Sequence, residues 1–388
     1  MIKTTLVGHA CLLIQSKETT ILTDPVWFDY LWEEINTLCP SIVLEKDKVP
    51  PLDVLNISHR HQDHFDVRTL AYLVKNKRIL TPDTLVLAPQ DNLLLDILNE
   101  LEFKNIRIVA DFEPIKVKDV TITPTPSRNQ LSTSEDPFPE HGLLVNDGEV
   151  TIWNQVDSLV NPDIIQHIIE LHGQIDFFHS RFVPLIEGNF SYNKPITLPI
   201  DEYCTFLNVV KALAPRFVVP GSAAFRYRDE LTFLNQYSFP TTQDQFLRDL
   251  EAFCPEVSRA PFFSGDIAHI SKDEIYIEKQ ASDFVRIKED NSQLITFKPN
   301  SEVPAIKTQT TDPEEYQREI KVVDDFIEKC FLERILKSEL LKGWQHWQIV
   351  YQLEVFGQDG PQTWTIDFGQ PKQLQLHKGE VGKINLYE

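Results

Sequence analysis

The chain has few of the residues that build disulfide frameworks or membrane spans. Its five cysteines among 388 residues are scattered, odd in number and never spaced Cys-x-x-Cys. This pattern argues against both a disulfide framework and a zinc ribbon. No apolar run approaches the roughly 18 residues that cross a bilayer, and the first residues lack the pattern of a secretion signal. We therefore expect a soluble cytoplasmic protein without a transmembrane segment.

Basic side chains are also scarce. The sequence has 37 lysines and arginines against 58 acidic residues, which gives a net charge of -21. A surface of this charge repels phosphate backbones and anionic membranes, and no basic cluster interrupts it. We expect no nucleic-acid partner and favour a small-molecule or lipid-like substrate.

Histidine is uncommon as well, yet three of the 11 histidines lie within residues 59–64. Residues 51–57 form a short apolar run with β-branched side chains, which predicts a buried strand that ends where the histidines begin. Side chains alternate along extended backbone, so His59 and His61 point the same way and can hold one metal ion. Asp63 and His64 then lie on the following turn and can serve a second ion.

Imidazole and carboxylate ligands suit zinc, iron or manganese better than calcium or magnesium. The sequence therefore predicts one or two transition-metal ions, with zinc favoured. The alternative is a histidine cluster on a solvated loop, and the density of histidine at this one place argues against it.

The His-x-His-x-Asp-His pattern after a strand resembles the signature of the metallo-β-lactamase superfamily of metal-dependent hydrolases. Residues 8–14 and 21–25 also resemble the opening of the branch that contains ascorbate-phosphate lactonases and N-acyl phosphatidylethanolamine phospholipases. The resemblance implies an αββα sandwich over about residues 1–270. It also places His9 and Asp24 beside the metals, where they would orient the ligands. Without the resemblance, these two residues read as a buried histidine and a turn aspartate.

Asp157 occupies a place that the resemblance makes significant. It follows a predicted hairpin with its turn at residues 147–148, and in the family an aspartate after such a strand bridges both metals. A carboxylate can bridge because it offers two oxygens and offsets part of the cationic charge. From the residues alone, Asp157 is a loop or cap residue before the helix predicted at residues 162–172.

Two later histidines of the hydrolase pattern are missing. Residues 123–128 contain no histidine, and Gly221 and Ser222 stand where the last one would follow its strand. His179, which ends an apolar strand at 175–180, is a candidate substitute ligand. Its alternative is a buried core histidine, and His141 is a weaker candidate of the same kind.

A second, local resemblance covers residues 219–226 and 263–266, which are similar to the metallo-β-lactamase-like part of CMP-sialic acid hydroxylases. Those enzymes also carry a Rieske iron-sulfur domain, which needs paired cysteine and histidine motifs. Such motifs do not occur in this sequence. A related oxygenase would need electrons from elsewhere.

Two further segments stand apart from these motifs. Residues 26–39 carry four aromatic side chains, including Trp32, and predict a loop or short helix that belongs to the core, an interface or a lid. Residues 275–388 predict a smaller α+β domain, with helices at 313–341 and tryptophan-bearing strands after them. This domain faintly resembles a sterol-carrier-type lipid-binding module, and a domain that packs or dimerises is the alternative.

The favoured function is metal-dependent hydrolysis. Bound metals lower the pKa of water to about 7 and so make hydroxide available at neutral pH. Asp63 would hold this nucleophile or take its proton during attack on an ester, lactone, amide or phosphodiester. The rival enzyme is a diiron oxygenase with similar ligands. A third possibility is a metal-stabilised binding protein without catalysis.

Overall fold

The chain forms two compact units. The first comprises Met1–Pro184, Leu198–Asn235 and Phe239–Phe297, and the second comprises Leu185–Thr197, Gln236–Ser238 and Lys298–Glu388. The computed structural model describes residues 1–31, 34–128, 139–184, 186–191, 194–221, 225–304, 312–338, 341–357, 360–369, 374–379, 381 and 386–387.

Twenty of the described strands belong to the first unit. In chain order they are β1 (Ile2–Gly8), β2 (Cys11–Gln15), β3 (Thr20–Thr23), β4 (Tyr30–Leu31), β5 (Asn36–Leu38), β6 (Ser41–Leu44), β7 (Leu52–Asn56), β8 (Leu80–Ala88), β9 (Ile106–Ile108), β10 (Ile115–Val117), β11 (Val120–Pro126), β12 (His141–Asn146), β13 (Thr151–Asn154), β14 (Phe177–Arg181), β15 (Phe217–Gly221), β16 (Phe225–Tyr227), β17 (Ser258–Arg259), β18 (Ile267–Ile270), β19 (Ile275–Glu278) and β20 (Val285–Glu289).

Two large sheets dominate this unit. One has eight strands in the order β19-β18-β1-β2-β3-β7-β8-β9, and the other has seven in the order β10-β11-β12-β13-β14-β15-β17. A three-stranded sheet, β16-β5-β4, and the pair β20-β6 complete the unit. Apolar side chains from both large sheets, among them Leu12, Val54, Val145 and Phe177, form one buried cluster. The two sheets are therefore the inner layers of a sandwich.

Helices occur in both units. The described helices are α1 (Val67–Lys75), α2 (Asn92–Glu100), α3 (Pro162–His172), α4 (Glu187–Ser191), α5 (Ile200–Leu213), α6 (Asn235–Ser238), α7 (Gln243–Phe253), α8 (Pro313–Phe326), α9 (Leu332–Lys337) and α10 (Leu341–His346), with short 3₁₀ turns at Lys46–Lys48, Asp229–Leu234 and Ser292–Leu294. In the first unit, helices flank the two large sheets: α1 contacts β8, α5 contacts β14 and α7 contacts β15. This arrangement is the αββα sandwich that the sequence predicts.

Polar side chains fix where the flanking helices begin. Asp66 accepts a hydrogen bond from the Thr69 backbone N–H at the start of α1, and Asp91 does the same for Leu94 in α2. Such caps satisfy N–H groups that have no partner inside the helix. Helix α3 begins and ends at the residues that the sequence predicts, 162 and 172.

One sequence prediction of local structure was wrong. Residues 26–39, expected as a loop or short helix, contain β4 and β5, because the backbone of β5 pairs with both β4 and β16. Trp32 of this segment lies outside the described residues.

The second unit is a layer of helices on a four-stranded sheet. Its strands are β21 (Val350–Gly357), β22 (Gly360–Asp367), β23 (Gln375–Lys378) and β24 (Leu386–Tyr387), in the order β23-β22-β21-β24. A π-helical turn, Ile327–Phe331, joins α8 to α9. Trp364 of the sheet packs with Tyr316 and Ile320 of α8 in one apolar cluster. The unit is the expected α+β module, and its sterol-carrier-like role stays a prediction, as does the division of roles between residues 1–270 and 275–388.

Across the described ranges, no helix combines the length and apolar character needed to cross a membrane.

Candidate metal centre

The site residues gather at one edge of the sandwich because several strands end there. Strands β3 and β7 are parallel, and β1 runs in the same direction, since β2 pairs antiparallel with both β1 and β3. In the other sheet β13, β14 and β15 are parallel. The residues that follow these strands therefore meet at a common edge. They include His9 after β1, Asp24 after β3, the residue 59–64 loop after β7, and Asp157 after β13.

The first group of potential ligands is His59, His61 and Asp157. One ligand atom from each lies within 4.8 Å of the other two. His59 Nε2 is 2.9 Å from His61 Nδ1. His59 is buried, whereas His61 is exposed and Asp157 is partly exposed. This group, the outer trio, therefore lies on the side of the site that solvent reaches.

The second group is His9, Asp63 and His64, all of them buried. His9 Nε2 lies 3.0 Å from Asp63 Oδ2 and 3.3 Å from His64 Nε2. This group, the inner trio, adjoins the outer trio, since Asp157 Oδ2 lies 3.4 Å from His64 Nε2. The carboxylate of Asp157 is thus close to both groups.

A buried carboxylate beneath the trios orients two of the imidazoles. Asp24 Oδ2 accepts a hydrogen bond from Ser58 Oγ at 2.6 Å and lies 3.1 Å from His64 Nδ1. Ser58 Oγ in turn lies 2.9 Å from His59 Nδ1. Both histidines therefore engage this support through Nδ1 and present Nε2 to the site. Ligating histidines are commonly held in this way in metal sites.

Burial and neighbouring charge set opposite protonation states for these two histidines. Burial lowers the pKa of His59 well below its usual value, and the nearby His64 and His61 lower it further. Burial also disfavours a charged His64, but the carboxylates of Asp63 and Asp157 raise its pKa well above the usual range. His64 in return lowers the pKa of both acids against the effect of their burial. A protonated His64 imidazole thus offsets part of the negative charge of Asp63 and Asp157.

These observations fit a bound transition metal. The site offers buried imidazoles and carboxylates within ligand distance of one another, and its carboxylates carry more negative charge than a proton on His64 offsets. Imidazole and carboxylate donors are those that zinc, iron and manganese accept. His9 and Asp24, predicted to orient ligands, differ in position, because Asp24 lies behind His64 whereas His9 lies inside the inner trio.

His179, the predicted substitute ligand, lies outside both trios. Its Nδ1 is 2.8 Å from Asn154 Oδ1, and its ring packs against the Cα of Gly221. Burial first, and then the nearby His9, lower its pKa to about 3, so the ring is neutral. The Nε2 atom is buried and has no hydrogen-bond partner among the described residues. Ser222, which stands in the place of the last family histidine, lies outside the described residues.

His141, the weaker candidate, also lies apart from the trios. Its Nε2 is 2.9 Å from Asn56 Oδ1, and burial lowers its pKa to about 4 despite the opposing effect of Asp24. The sequence reasoning overlooked two residues of the site, Ser58 and Arg181. Ser58 directly precedes His59 and could have been found by its place in the loop, whereas nothing in the sequence around Arg181 signals a role.

Three residues of the site have left-handed backbone without being glycine. They are His9 (φ 50°), Asp24 (φ 39°) and Val156 (φ 56°), and all three are buried. Side chains with a Cβ are disfavoured in this region, and a β-branched residue there is an outlier. Such strain is concentrated at functional sites, where the surrounding structure holds it.

The chain is similar in sequence to segments of larger proteins. It is 28% identical over 200 residues to a Mycolicibacterium smegmatis protein with the provisional name Rieske 2Fe-2S iron-sulfur protein, and the match covers 49% of this chain and 36% of the relative. It is 27% identical over 174 residues to the 4-amino-L-phenylalanyl-[CmlP-peptidyl-carrier-protein] 3-hydroxylase of Streptomyces venezuelae, which covers 44% and 32%. The chain thus spans about a third of the length of these curated relatives.

Its fold is similar to that of a possible metal-dependent hydrolase from Veillonella parvula, with a TM-score of 0.50 at 12% identity over 69% of this chain and 98% of the other. At this identity the likeness concerns the fold alone. The family model of the beta-lactamase superfamily domain matches residues 3–222, more than half of the chain and the part that carries the trios. The chain therefore belongs to the metallo-β-lactamase superfamily.

Proposed function

We propose that this protein is a metal-dependent hydrolase with two transition-metal positions. The outer trio would hold one ion and the inner trio the other, with Asp157 between them. The observation that carries the proposal is the adjacency of two complete imidazole and carboxylate groups at one edge of the sandwich. Zinc is the favoured metal, because zinc accepts these donors and needs no redox partner.

When bound, such ions supply hydroxide at neutral pH by lowering the pKa of water to about 7, and they polarise the bond under attack. Asp63 would hold the attacking water or accept its proton. Because His61 and Asp157 form the exposed side of the site, substrate reaches the centre past these two residues. A small or lipid-like ester, lactone, amide or phosphodiester fits this chemistry.

A diiron oxygenase is the second candidate. One relative is named a 3-hydroxylase and another a Rieske iron-sulfur protein, and the two later histidines of the hydrolase pattern are absent from this chain. In the inner trio His9 stands beside Asp63 and His64 in place of a later histidine. Because the sequence lacks Rieske motifs, this activity would require a separate electron donor.

Elemental analysis of protein purified without added metal tests the proposal. We expect about two equivalents of zinc in the parent, and a loss of at least one equivalent in His59→Ala. His167→Ala, an exposed histidine of α3, is the matched control and should keep both. Zinc together with turnover in an ester and phosphodiester screen supports hydrolysis. Iron together with substrate-dependent oxygen consumption supports the oxygenase, and no metal after reconstitution overturns both.

A further inference from the structure

The turn that carries Asp157 is strained at the preceding residue. Val156 has φ 56° and is 1% exposed. Its branched Cβ collides with its own backbone in this region, at a cost on the order of 1–3 kcal/mol. A turn of this kind persists only when other groups hold it. If the turn relaxed, the Asp157 carboxylate would leave its place between the two trios.

Two side chains clamp the turn from both sides. Arg181 Nη1 donates to the Asp157 backbone carbonyl at 2.6 Å. Gln155 Nε2 donates to the Ser158 carbonyl at 2.9 Å, and Gln155 Oε1 accepts the backbone N–H of Arg181 at 3.1 Å. The backbone carbonyls of Asp157 and Ser158 are therefore both fixed by hydrogen bonds. We call Arg181 and Gln155 the clamp.

Contacts with helix α5 hold the Arg181 side chain in place. Arg181 ends strand β14, and its guanidinium carbon lies 5.3 Å from the centre of the Phe206 ring. Glu202 lies 3.7 Å from Nη2 on the other side, and the arginine side chain is 14% exposed. A planar guanidinium can serve several partners in fixed directions, which a lysine ammonium cannot do. Helix α5, which carries Phe206 and Glu202, thus supports the turn through Arg181.

We propose that Arg181 is a positioning residue, which with Gln155 holds the strained Val156 turn so that the Asp157 carboxylate serves both metal positions. This inference rests on the proposed two-metal centre. Without the clamp the outer position keeps only the two imidazoles of His59 and His61. The inner position keeps all three of its ligands, so the outer position should suffer more.

Zinc affinity measured by equilibrium dialysis tests the inference in the full chain. We expect Arg181→Gln to lower zinc affinity at the outer position by about 10- to 100-fold, which is typical when a group supporting a ligand is removed. Arg181→Lys should lie between this variant and the parent, because its ammonium can reach one partner but not all of them. The visible spectrum of the Co²⁺-loaded protein should change in Arg181→Gln, which a loss of stability alone does not produce.

Arg216→Gln is the matched control. Arg216 lies just before β15, at the opposite end of the same strands, and its Nη1 pairs with Asp176 at 2.7 Å. Removing this ion pair disturbs the same sheet without touching the site. Its zinc affinities and Co²⁺ spectrum should equal those of the parent.

A double-mutant cycle with Val156→Gly tests the role of strain. Glycine adopts left-handed backbone without steric cost, so a turn with glycine needs less holding. We expect Arg181→Gln to cost at least threefold less zinc affinity in the Val156→Gly background than in the parent. An equal cost in both backgrounds would show that the arginine does not act on the strained turn.

The possible failures are distinguishable. If the parent binds no metal, the two-metal centre is wrong and the clamp has nothing to position. If the parent binds two ions and Arg181→Gln binds them with equal affinity and an unchanged Co²⁺ spectrum, the clamp alone is overturned and the proposed function stands.

Discussion

The two ends of the sandwich are formed by the same strands, but they differ in how deeply their ionisable groups are buried. At the site end the ionisable groups are buried, as His59, Asp63 and Asp24 show. At the opposite end they reach solvent in ordinary ion pairs, such as Arg216 with Asp176. Strands β1, β3, β7 and β13, which lead to the site, are buried over most of their length, so the sheet core does not cause the contrast. It comes from the residues just after the strands.

The residues with left-handed backbone differ between the two ends in the same way, buried at the site end and exposed at the other. The left-handed residues of the site end are buried and carry side chains, as in His9, Asp24 and Val156. At the opposite end the left-handed residues Lys118 and Gly148 face solvent. The comparison teaches that this protein buries left-handed residues and clustered ionisable groups at one edge, whereas the left-handed residues of the other edge are exposed. Three sets of experiments test this difference between the two ends.

Acid should damage the site end first, and His141 gives a large effect that one substitution can isolate. Its pKa is about 4 in the folded protein and about 6.5 when unfolded, so the unfolded chain takes up the proton first as the pH falls. The stability that neutral His141 contributes is therefore present above pH 6.5 and is lost between about 6.5 and 4. The loss amounts to roughly 3 kcal/mol.

Urea unfolding of the metal-free protein across this pH range measures the effect. His141→Gln keeps a donor for Asn56 but does not titrate, so its stability should fall less steeply with acid than that of the parent. His167→Gln, at an exposed position, should follow the parent. Parallel curves for the parent and His141→Gln would contradict the prediction.

Asp24→Asn should weaken metal binding by about 10- to 100-fold while the fold remains intact. Asparagine tolerates the left-handed backbone at this position and can still accept from the Ser58 N–H. Its amide, however, would face His64 Nδ1 with a donor, which drives the proton to Nε2 and removes the lone pair that a metal needs. Isothermal titration with zinc measures the loss.

Asp147→Asn is the counterpart at the opposite end. Asp147 likewise accepts backbone N–H groups, from Glu149 and Val150, and it pairs with the Met1 ammonium. Its substitution should leave zinc affinity unchanged. Equal zinc affinities in Asp24→Asn and the parent would show that Asp24 does not set the tautomer of His64.

Two glycine substitutions give the smallest effects and the most direct comparison of the ends. In Gly221→Ala the new Cβ would lie 2.3 Å from His179 Nε2, so the buried ring must move, at roughly 2 kcal/mol. In Gly148→Ala the Cβ would meet nothing within 4 Å, and the left-handed φ of 90° costs roughly 1 kcal/mol. Unfolding free energies measure both, and the His179 ring signals in NMR spectra should shift only in Gly221→Ala.

The sequence predicted the loop of ligands from local patterns, whereas the sandwich followed from the family resemblance that this loop carries. The strand before the loop, the helix at residues 162–172 and the hairpin turn before Asp157 all follow from periodicity and turn residues. The position of His9 inside the inner trio could not be predicted, since it depends on how the end of β1 meets the end of β7. His179 illustrates the limit: its role as a ligand stays a prediction, because its Nδ1 bonds to Asn154 while its buried Nε2 has no hydrogen-bond partner among the described residues.

The Asp24 carboxylate receives hydrogen bonds that originate at both trios, one through Ser58 from His59 and one from His64. Occupation of either proposed metal position would polarise this shared group and change the basicity of the ligand at the other. We therefore expect the two binding equilibria to be thermodynamically linked, and linkage is reciprocal by necessity. A variant impaired at one position should bind its remaining ion with altered affinity, and the coupling factor must be the same whichever position is titrated first.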